Sequence, residues 1–277
     1  MNIKTRVESI VSKTLKDKIK LSKQKKILVA LSGGKDSAVM AYLLKKNGFQ
    51  IEGFHIDLKL GGYSDRCKSS VVELCENLGI GLHIYDMKKE MGSGMCYLRQ
   101  NVQNREGYKG VKNCAVCGVI KKWIINRESR KFKIDFVATG HNLDDECQTF
   151  LLNIFKGSPE LSANSGAITR NVSDKKFIPR IKPLFYVPED MVREYAKKMK
   201  LPFVPEKCPC ALDSYRIQIR EFLNTLDNKK KENIIKNFER IYPKIAGMKS
   251  GVGIQYCEKC GEPSRGKVCK MCEMVGY

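Results

Sequence analysis

The feature that most constrains the fold of this chain is a repeated order of strand, turn and helix signals. Residues 26–31 form a short apolar run, the segment Ser32–Ser37 contains two glycines, and residues 37–46 have helical spacing. The same order recurs downstream, where we predict strands at 51–57, 81–85 and 134–139 and helices at 65–78 and 144–155. Strands that alternate with helices indicate βαβ units with right-handed crossovers. The sequence therefore predicts an α/β fold with a mainly parallel sheet.

The first turn of this pattern, SGGKDS at Ser32–Ser37, has the properties of a phosphate-binding loop. Glycines let backbone N–H groups approach an anion, and the N-terminus of the following helix adds partial positive charge. The loop is not a Walker A motif, because Leu28 stands where that motif has its first glycine and Asp36 follows Lys35. A carboxylate at this place is suited to Mg²⁺. We therefore favour nucleotide binding over an ordinary glycine-rich turn.

The charge of the chain indicates a polyanionic partner. Fifty-one Lys and Arg against 30 Asp and Glu give a formal net charge of +21, which favours nucleic acid over a merely lysine-rich solvated surface. No apolar run approaches the roughly 18 residues of a membrane span, and the charged N-terminus lacks the apolar region of a signal peptide. We expect a cytoplasmic protein with no membrane partner.

Outside the α/β pattern, the sequence predicts helical and irregular segments. Residues 90–113 and 157–175 interrupt the alternation, and the second is expected to be a flexible loop. Basic helices are predicted at 188–200 and 212–241, with a strand near 203. We divide the chain into a basic N-terminal helix at 1–25, an α/β domain at 26–205, a helical extension at 206–250 and a cysteine module at 251–277.

The cysteine module has the spacing of a structural zinc site. The chain has twelve cysteines, and without a signal peptide metal or redox chemistry is favoured over disulfides. Two CxxC pairs lie close together near the C-terminus, and four thiolates at that spacing suit tetrahedral Zn²⁺. Because so short a segment cannot form a core alone, the metal would supply its folding energy. The predicted zinc ligands are Cys257, Cys260, Cys269 and Cys272.

A second group of cysteines is less specific by itself. Cys114 and Cys117 form a CxxC that precedes a helix predicted at 119–130, and Cys208 follows much later. A lone CxxC is compatible with zinc, thiol redox chemistry or an iron–sulfur cluster. Trp123, the only tryptophan, is expected in the core.

Several segments together resemble one enzyme family. SGGKDS resembles the pyrophosphate loop of the PP-loop ATP pyrophosphatases, which have an adenine nucleotide α-hydrolase-like, Rossmann-like fold. The segments CAVCG at 114–118, GHNLDD at 140–145, RIKPL at 180–184 and CP at 208–209 resemble the tRNA 2-thiolation enzymes. The similarity is closest to the archaeal and eukaryotic-type tRNA 2-thiouridine synthases and extends from residue 25 to 272.

The resemblance implies an ATP-dependent tRNA thiolation with a defined set of residues. Cys114, Cys117 and Cys208 would hold a [4Fe-4S] cluster whose fourth iron is free for sulfide, while Lys121 and Asp145 would be catalytic. The implied site for ATP and Mg²⁺ comprises Ala30, Leu31, Ser32, Gly33, Gly34, Lys35, Asp36, Ser37, Ile56 and Gly140. The uridine O2 would be adenylated and sulfur inserted at C2. Implied partners are tRNA, a sulfur donor (sulfide or a carrier protein) and a second copy of the chain.

The sequence departs from this family in two places and leaves alternatives open. Cys210 stands where the family has another residue and could be a fourth cluster ligand or a bystander, and no cysteine precedes Cys67, so the family's N-terminal zinc finger is missing. The CxxC could instead carry a persulfide. Other hypotheses are a tRNA 2-thiocytidine synthase, a lysidine-synthetase-like or amide-forming pyrophosphatase, and a non-enzymatic metal-stabilised RNA-binding protein.

Overall fold

A computed structural model describes residues 2–169, 174–211, 216–247 and 254–276. Its centre is a sheet of five parallel strands in the order β3-β2-β1-β4-β5. The strands are β1 (Lys26–Ala30), β2 (Gln50–Asp57), β3 (Leu82–Asp86), β4 (Phe136–Ala138) and β5 (Arg180–Ile181). The parallel α/β fold predicted from the sequence is confirmed.

Helices cover both faces of the sheet. The described helices are α1 (Ile3–Lys13), α2 (Lys35–Lys46), α3 (Gly62–Leu78), α4 (Met87–Met91), α5 (Met95–Asn104), α6 (Asn113–Lys131), α7 (Leu143–Phe155), α8 (Glu189–Lys198), α9 (Arg216–Asn224), α10 (Asn228–Gly247) and α11 (Lys270–Val275). A short antiparallel pair, β6 (Gln255–Tyr256) and β7 (Pro263–Ser264), lies beside α11 in the cysteine module. None of the helices in the described ranges combines the length and apolarity needed to cross a membrane.

The apolar run of β1 supplies two separate cores because successive side chains point to opposite faces of a strand. Ile27 and Val29 belong to the core that includes α1, α2 and α8. Leu28 belongs to the other core, which includes α5, α6 and the cysteine module. All three side chains are fully buried, as expected for the central strand of a parallel sheet covered on both faces.

The N-terminal helix is part of the first core. Val7 and Val11 of α1 are fully buried, and the helix packs on α8, where the Tyr195 hydroxyl donates a hydrogen bond of 2.8 Å to Glu8. After a π-helical turn at Thr14–Ile19 the helix ends at Lys20, which is left-handed, so it is shorter than the predicted 1–25. The four-part division of the chain stays a prediction.

The sheet has a topological switch point between β1 and β4. From β1 the chain proceeds outward through β2 and β3 and then returns to the other side, where β4 pairs with β1 at Val29 and Ala138. Ligands of such sheets bind where the strand order reverses, outside the carboxyl ends of the strands. The SGGKDS loop follows β1 and the GHNLDD segment follows β4, so both meet at this crevice.

The prediction for the start of α6 was wrong. The helix begins at Asn113 and not at 119, so Cys114 and Cys117 lie in its first turn and do not precede it. Gly118 suggested a boundary in the sequence, but the neighbouring Val116 and Ile120 are both fully buried. Packing of these side chains outweighs the low helix propensity of glycine.

The strand predicted near 203 was also wrong. Pro202 and Pro205 lack the N–H groups that a strand inside a sheet would donate, and the segment crosses the SGGKDS loop instead. Its link to that loop is a hydrogen bond of 2.8 Å from the Val204 N–H to the Gly33 carbonyl.

Three further segments differ from expectation. Residues 90–113 contain α5 and the end of α4, and the loop predicted at 157–175 contains a 3₁₀ helix at Pro159–Asn164 and a bridge from Ile168 to Ile181. The helix predicted at 212–241 is divided into α9 and α10. Residues 170–173, 212–215 and 248–253 lie outside the described residues, and the last range contains Gly251 and Gly253 of the linker that Gly247, Gly251 and Gly253 predict.

Gly140 is required for contact between the two loops at the switch point. A Cβ atom there would lie 2.9 Å from the backbone carbon of Asp36 and 2.9 Å from the nitrogen of Ser37. We expect Gly140→Ala to lower the free energy of unfolding by about 1–3 kcal/mol through overpacking. Urea unfolding measures this loss. Gly81→Ala, where a Cβ atom would meet nothing within 4 Å, is the control, and equal stabilities of the two variants would contradict the prediction.

Candidate ATP and metal sites

The SGGKDS loop is closed by its own hydroxyls and leaves the start of α2 without a side-chain cap. Ser37 Oγ donates to the Gly34 carbonyl at 2.9 Å and accepts from the Ser32 N–H at 3.2 Å. Gly34 is the N-cap of α2 and offers no side chain to the N–H groups of the first turn. Gly33 has φ +83°, and a Cβ atom there would lie 2.7 Å from Cys67 Cβ. The loop is thus a built anion-binding geometry.

Lys35 is held between two carboxylates beside this loop. Its Nζ lies 2.9 Å from Asp36 Oδ2 and 2.9 Å from Glu189 Oε1 of α8. Burial alone would lower the pKa of Lys35, but the charges and hydrogen bonds of Asp36 and Glu189 raise it above its usual value. The ammonium therefore remains charged where a phosphate would bind.

Two carboxylates from different loops come together through Asn142. The Asn142 amide donates to Asp36 Oδ1 at 2.9 Å, and Asn142 and Asp145 form a capping box at the start of α7. Burial, followed by the charge of Asp36, raises the pKa of Asp145 to about 6. Two like charges held in one place favour a divalent cation between them, so Asp36 and Asp145 are suited to Mg²⁺.

The other residues predicted for ATP lie at the same edge of the sheet. Leu31, which follows β1, donates its N–H to the Phe54 carbonyl of β2 at 2.8 Å. His55 Nδ1 lies 2.8 Å from the Leu31 carbonyl, and burial lowers the pKa of His55. Ala30 ends β1 and Ile56 lies near the end of β2, one strand away. The structure therefore places these residues around one crevice.

The segment that carries Cys208 lies near Cys117 and Lys121. Burial raises the pKa of the Cys208 thiol, a backbone hydrogen bond from Cys210 opposes this, the charges of Cys210 and then Cys117 raise it further, and the charge of Lys121 lowers it. Lys121 lies four residues after Cys117 on α6, which is one helical turn. Cys114 shares the first turn of α6 and is exposed. Among the described residues, only the C-terminal cysteines are gathered closely enough to hold a metal as they stand, so the ligand set Cys114, Cys117 and Cys208 stays a prediction.

Two residues beside these thiols were missed by the sequence analysis. Arg99 of α5 donates a hydrogen bond of 3.4 Å to the Cys96 sulfur. Burial would lower the pKa of Arg99, but Cys210, Cys96 and Cys117 raise it through their charges. Cys210 therefore lies near Arg99. Cys96 lacked ligand spacing, and no local pattern connects it to a cysteine more than a hundred residues later.

The four cysteines of the C-terminal module form a compact group. Their sulfur atoms all lie within 4.8 Å of one another, and Cys260 and Cys269 sulfurs are 3.6 Å apart. Zinc–sulfur bonds of about 2.3 Å in a tetrahedron separate sulfurs by roughly 3.8 Å, so the donor set fits Zn²⁺. Burial would raise the pKa of Cys257, but backbone N–H groups, including that of Cys269 at 3.2 Å, lower it to about 6. A thiolate is thus favoured before metal binds.

Polar contacts hold the module against α5 and α6. Arg105 donates to the carbonyls of Glu273 at 3.0 Å and Met274 at 2.8 Å. Asn126 donates to Glu262 at 3.1 Å, and Arg130 forms an ion pair with the same carboxylate. The module therefore lies beside the helix that carries Cys114 and Cys117.

Replacing Asp145 with Asn should stabilise the protein at neutral pH. Because the folded-state pKa is raised from 3.8 to about 6, folding is penalised for ionising this group above pH 6, and the penalty disappears as the pH falls toward 4. We expect a gain of about 1–2 kcal/mol at pH 7.5 and about none at pH 4 in metal-free protein. Urea unfolding at both pH values tests this, with the exposed Asp65→Asn as control. A variant no more stable than wild type at pH 7.5 would contradict it.

Replacing Cys260 with Ser should release metal from the C-terminal module. With one thiolate lost, we expect bound zinc to fall from about one per chain to near zero and the module to become sensitive to protease. Metal analysis and limited trypsin digestion measure the two effects. Cys75→Ser, at a buried position in α3, is the control and should keep its zinc. Full zinc content in Cys260→Ser would exclude this site.

Comparison with known proteins agrees with this geometry. The PP-loop domain family matches residues 3–226. A tRNA-5-methyluridine(54) 2-sulfurtransferase from Pyrococcus horikoshii is 35% identical over 272 residues, covering 97% of this chain and 84% of the relative. The tRNA 2-thiolation protein NcsA of Haloferax volcanii is 31% identical, covering 90% of this chain and 81% of the relative.

A solved structure is similar over almost the full length. The U34-tRNA thiolase NcsA from Methanococcus maripaludis, determined with its [4Fe-4S] cluster, has a TM-score of 0.80 and 30% identity, and the match covers 99% of this chain and 87% of that one. The chain therefore belongs to the PP-loop family and, within it, to the tRNA 2-thiolation sulfurtransferases.

Proposed function

We propose that this protein is a tRNA 2-thiouridine synthase that adenylates a uridine and then inserts sulfur at its C2. The observation that carries the proposal is the hydrogen bond of 2.8 Å from Val204 to Gly33, which ties the segment leading to Cys208 onto the SGGKDS loop. One crevice can therefore serve both nucleotide chemistry and sulfur chemistry. The tRNA thiolation named for the relatives supports this assignment.

In the first step, the uridine O2 attacks the α-phosphorus of ATP and pyrophosphate leaves. The bond from O2 to phosphorus forms while the bond between the α-phosphorus and the bridging oxygen breaks, and AMP becomes the leaving group of the next step. The SGGKDS backbone and Lys35 would bind the phosphates, and Asp36 with Asp145 would hold Mg²⁺. An accessible uridine is needed, because C2 cannot be attacked within a base stack.

In the second step, sulfide attacks C2, and AMP leaves with the former O2. Cys114, Cys117 and Cys208 would hold a [4Fe-4S] cluster, which supplies an iron that binds sulfide. Cys210, whose charge acts on both Arg99 and Cys208, lies beside the three proposed ligands and is not counted among them. Lys121, whose charge acts on Cys208, is placed to neutralise negative charge during sulfur transfer.

The remaining assignments follow from this reaction. The substrate is tRNA, and the net charge of +21 would provide salt-sensitive affinity for its backbone. The sulfur donor is sulfide or a carrier protein, the C-terminal cysteines hold structural zinc, and the active form is a homodimer in the cytoplasm.

Replacing Cys208 with Ala separates the two steps. We expect tRNA-dependent pyrophosphate release to remain within about threefold of wild type, while 2-thiouridine falls more than about a hundredfold, because only sulfur transfer needs this thiolate. Asp36→Asn should lose both steps, and Cys75→Ala should lose neither. Adenylation is measured by pyrophosphate release and thiolation by nucleoside mass spectrometry, both on anaerobic protein. Iron per chain is measured on the same samples. Normal thiolation by Cys208→Ala would contradict the proposed function.

A further inference from the structure

Four basic side chains surround His141, which lies between β4 and α7. They are Lys122 of α6, Arg180 of β5, Lys182 and Arg216 of α9. Burial and then the charges of these four residues lower the pKa of His141 to about 3, so its imidazole is neutral at pH 7. His141 Nδ1 lies 3.0 Å from Thr139 Oγ1. The arrangement is a concentration of positive charge with no role in the two reaction steps above.

His141 and Lys122 are both exposed to solvent, although protein surrounds them closely enough for burial to be the largest influence on their pKa values. A large ligand can therefore reach them, and an anion bound there would be partly removed from water. Charge–charge interactions are stronger in such a place than on an open surface.

Two members of the group have no acidic partner in the described part of the chain. Lys182 Nζ pairs with Glu146 at 2.7 Å, whereas neither Lys122 nor Arg180 contacts a carboxylate of the described residues. Instead, Arg180 donates to the Lys122 backbone carbonyl at 3.2 Å, which holds two like charges together. Burial and the charges of Arg180, Arg216 and Lys182 lower the pKa of Lys122. An anion would relieve this repulsion.

A cavity of about 220 Å³ continues from Lys122 and Arg180 toward the C-terminal module. Trp123 lines it, and Lys270 of α11 lies on its far wall. The Trp123 indole N–H is buried without a hydrogen-bond acceptor among the described residues, and the half-buried side chain packs against the second core. A buried donor without an acceptor is uncommon and indicates a place for a ligand.

We propose that Lys122 and Arg180 bind a phosphodiester of the tRNA next to the target uridine, and that the Trp123 cavity receives the adjoining nucleotide. This inference rests on the proposed function. Phosphate suits a lysine and a guanidinium side by side, and an aromatic ring suits an unstacked base. The phosphates of ATP are the other source of this anion, but no residue of the SGGKDS loop lines the Trp123 cavity.

The single tryptophan provides a direct test of the cavity. We expect an unmodified tRNA transcript to change the fluorescence of Trp123 by at least about a third, in a saturable manner, in the full-length protein without ATP. Inorganic pyrophosphate should leave the fluorescence unchanged. A change caused by pyrophosphate, or saturable tRNA binding that leaves Trp123 unchanged, would overturn the proposal.

Charge removal tests the phosphate contacts. We expect Lys122→Ala and Arg180→Ala each to weaken tRNA binding about tenfold and to reduce the slope of log affinity against log salt by about 1, because each loses one phosphate contact. Lys197→Ala, which removes one exposed charge from α8, is the matched control and should change affinity by less than about twofold. Arg180→Lys keeps the charge and should restore part of the affinity, and thermal unfolding verifies that each variant is folded.

The outcomes separate this inference from the proposed function. Unchanged tRNA affinity and salt slope in folded Lys122→Ala would overturn the inference, as would a loss of ATP affinity without a loss of tRNA affinity. The proposed function fails independently if the wild-type protein binds tRNA but neither adenylates nor thiolates it. Binding is measured without ATP, iron or sulfide, so inactivity of the enzyme cannot imitate loss of the phosphate contacts.

Discussion

The contact between the SGGKDS loop and the loop after β4 is the constraint on which the crevice depends. Gly140 allows the two backbones to approach without a side chain between them, and the amide of Asn142 then reaches Asp36 at 2.9 Å. This approach exists because β4 pairs directly with β1, which is itself the strand that precedes the phosphate loop. A wider separation would leave Asp36 and Asp145 too far apart to share one cation.

Most of the sheet and its edge could be predicted from local sequence. The apolar run at Ile27–Val29 is buried on both faces, and a glycine turn before a helix has few geometries open to it. Because carboxyl ends of parallel strands share one edge, residues after β1 and β4 had to meet there. The group of four C-terminal cysteines was equally accessible to sequence reasoning, because all four lie within sixteen residues and need no distant partner.

The features that could not be predicted depend on contacts between residues that are distant in sequence. Lys122 and Arg180 are 58 residues apart, and each alone has the pattern of an ordinary surface cation. The start of α6 was misplaced because glycine propensity is local, whereas burial of Val116 depends on the second core. Similarly, Phe203 and Val204 favour a strand although prolines flank them, and the contact of Val204 with Gly33, which local sequence does not show, places the segment across the phosphate loop.

The pKa of His141 is lowered and that of Asp145 is raised, and the causes show which charges lie on each side of the crevice. Burial opposes ionisation of both His141 and Asp145, but the next influence differs: four cations act on His141, whereas the carboxylate of Asp36 acts on Asp145. The charges that act most strongly on these two residues therefore differ in sign, although Arg216 acts on both. The acidic side suits a metal-bound triphosphate, and the cationic side suits an RNA backbone. A uridine held between them would present its O2 toward the nucleotide while its own phosphates stay on the side that attracts them.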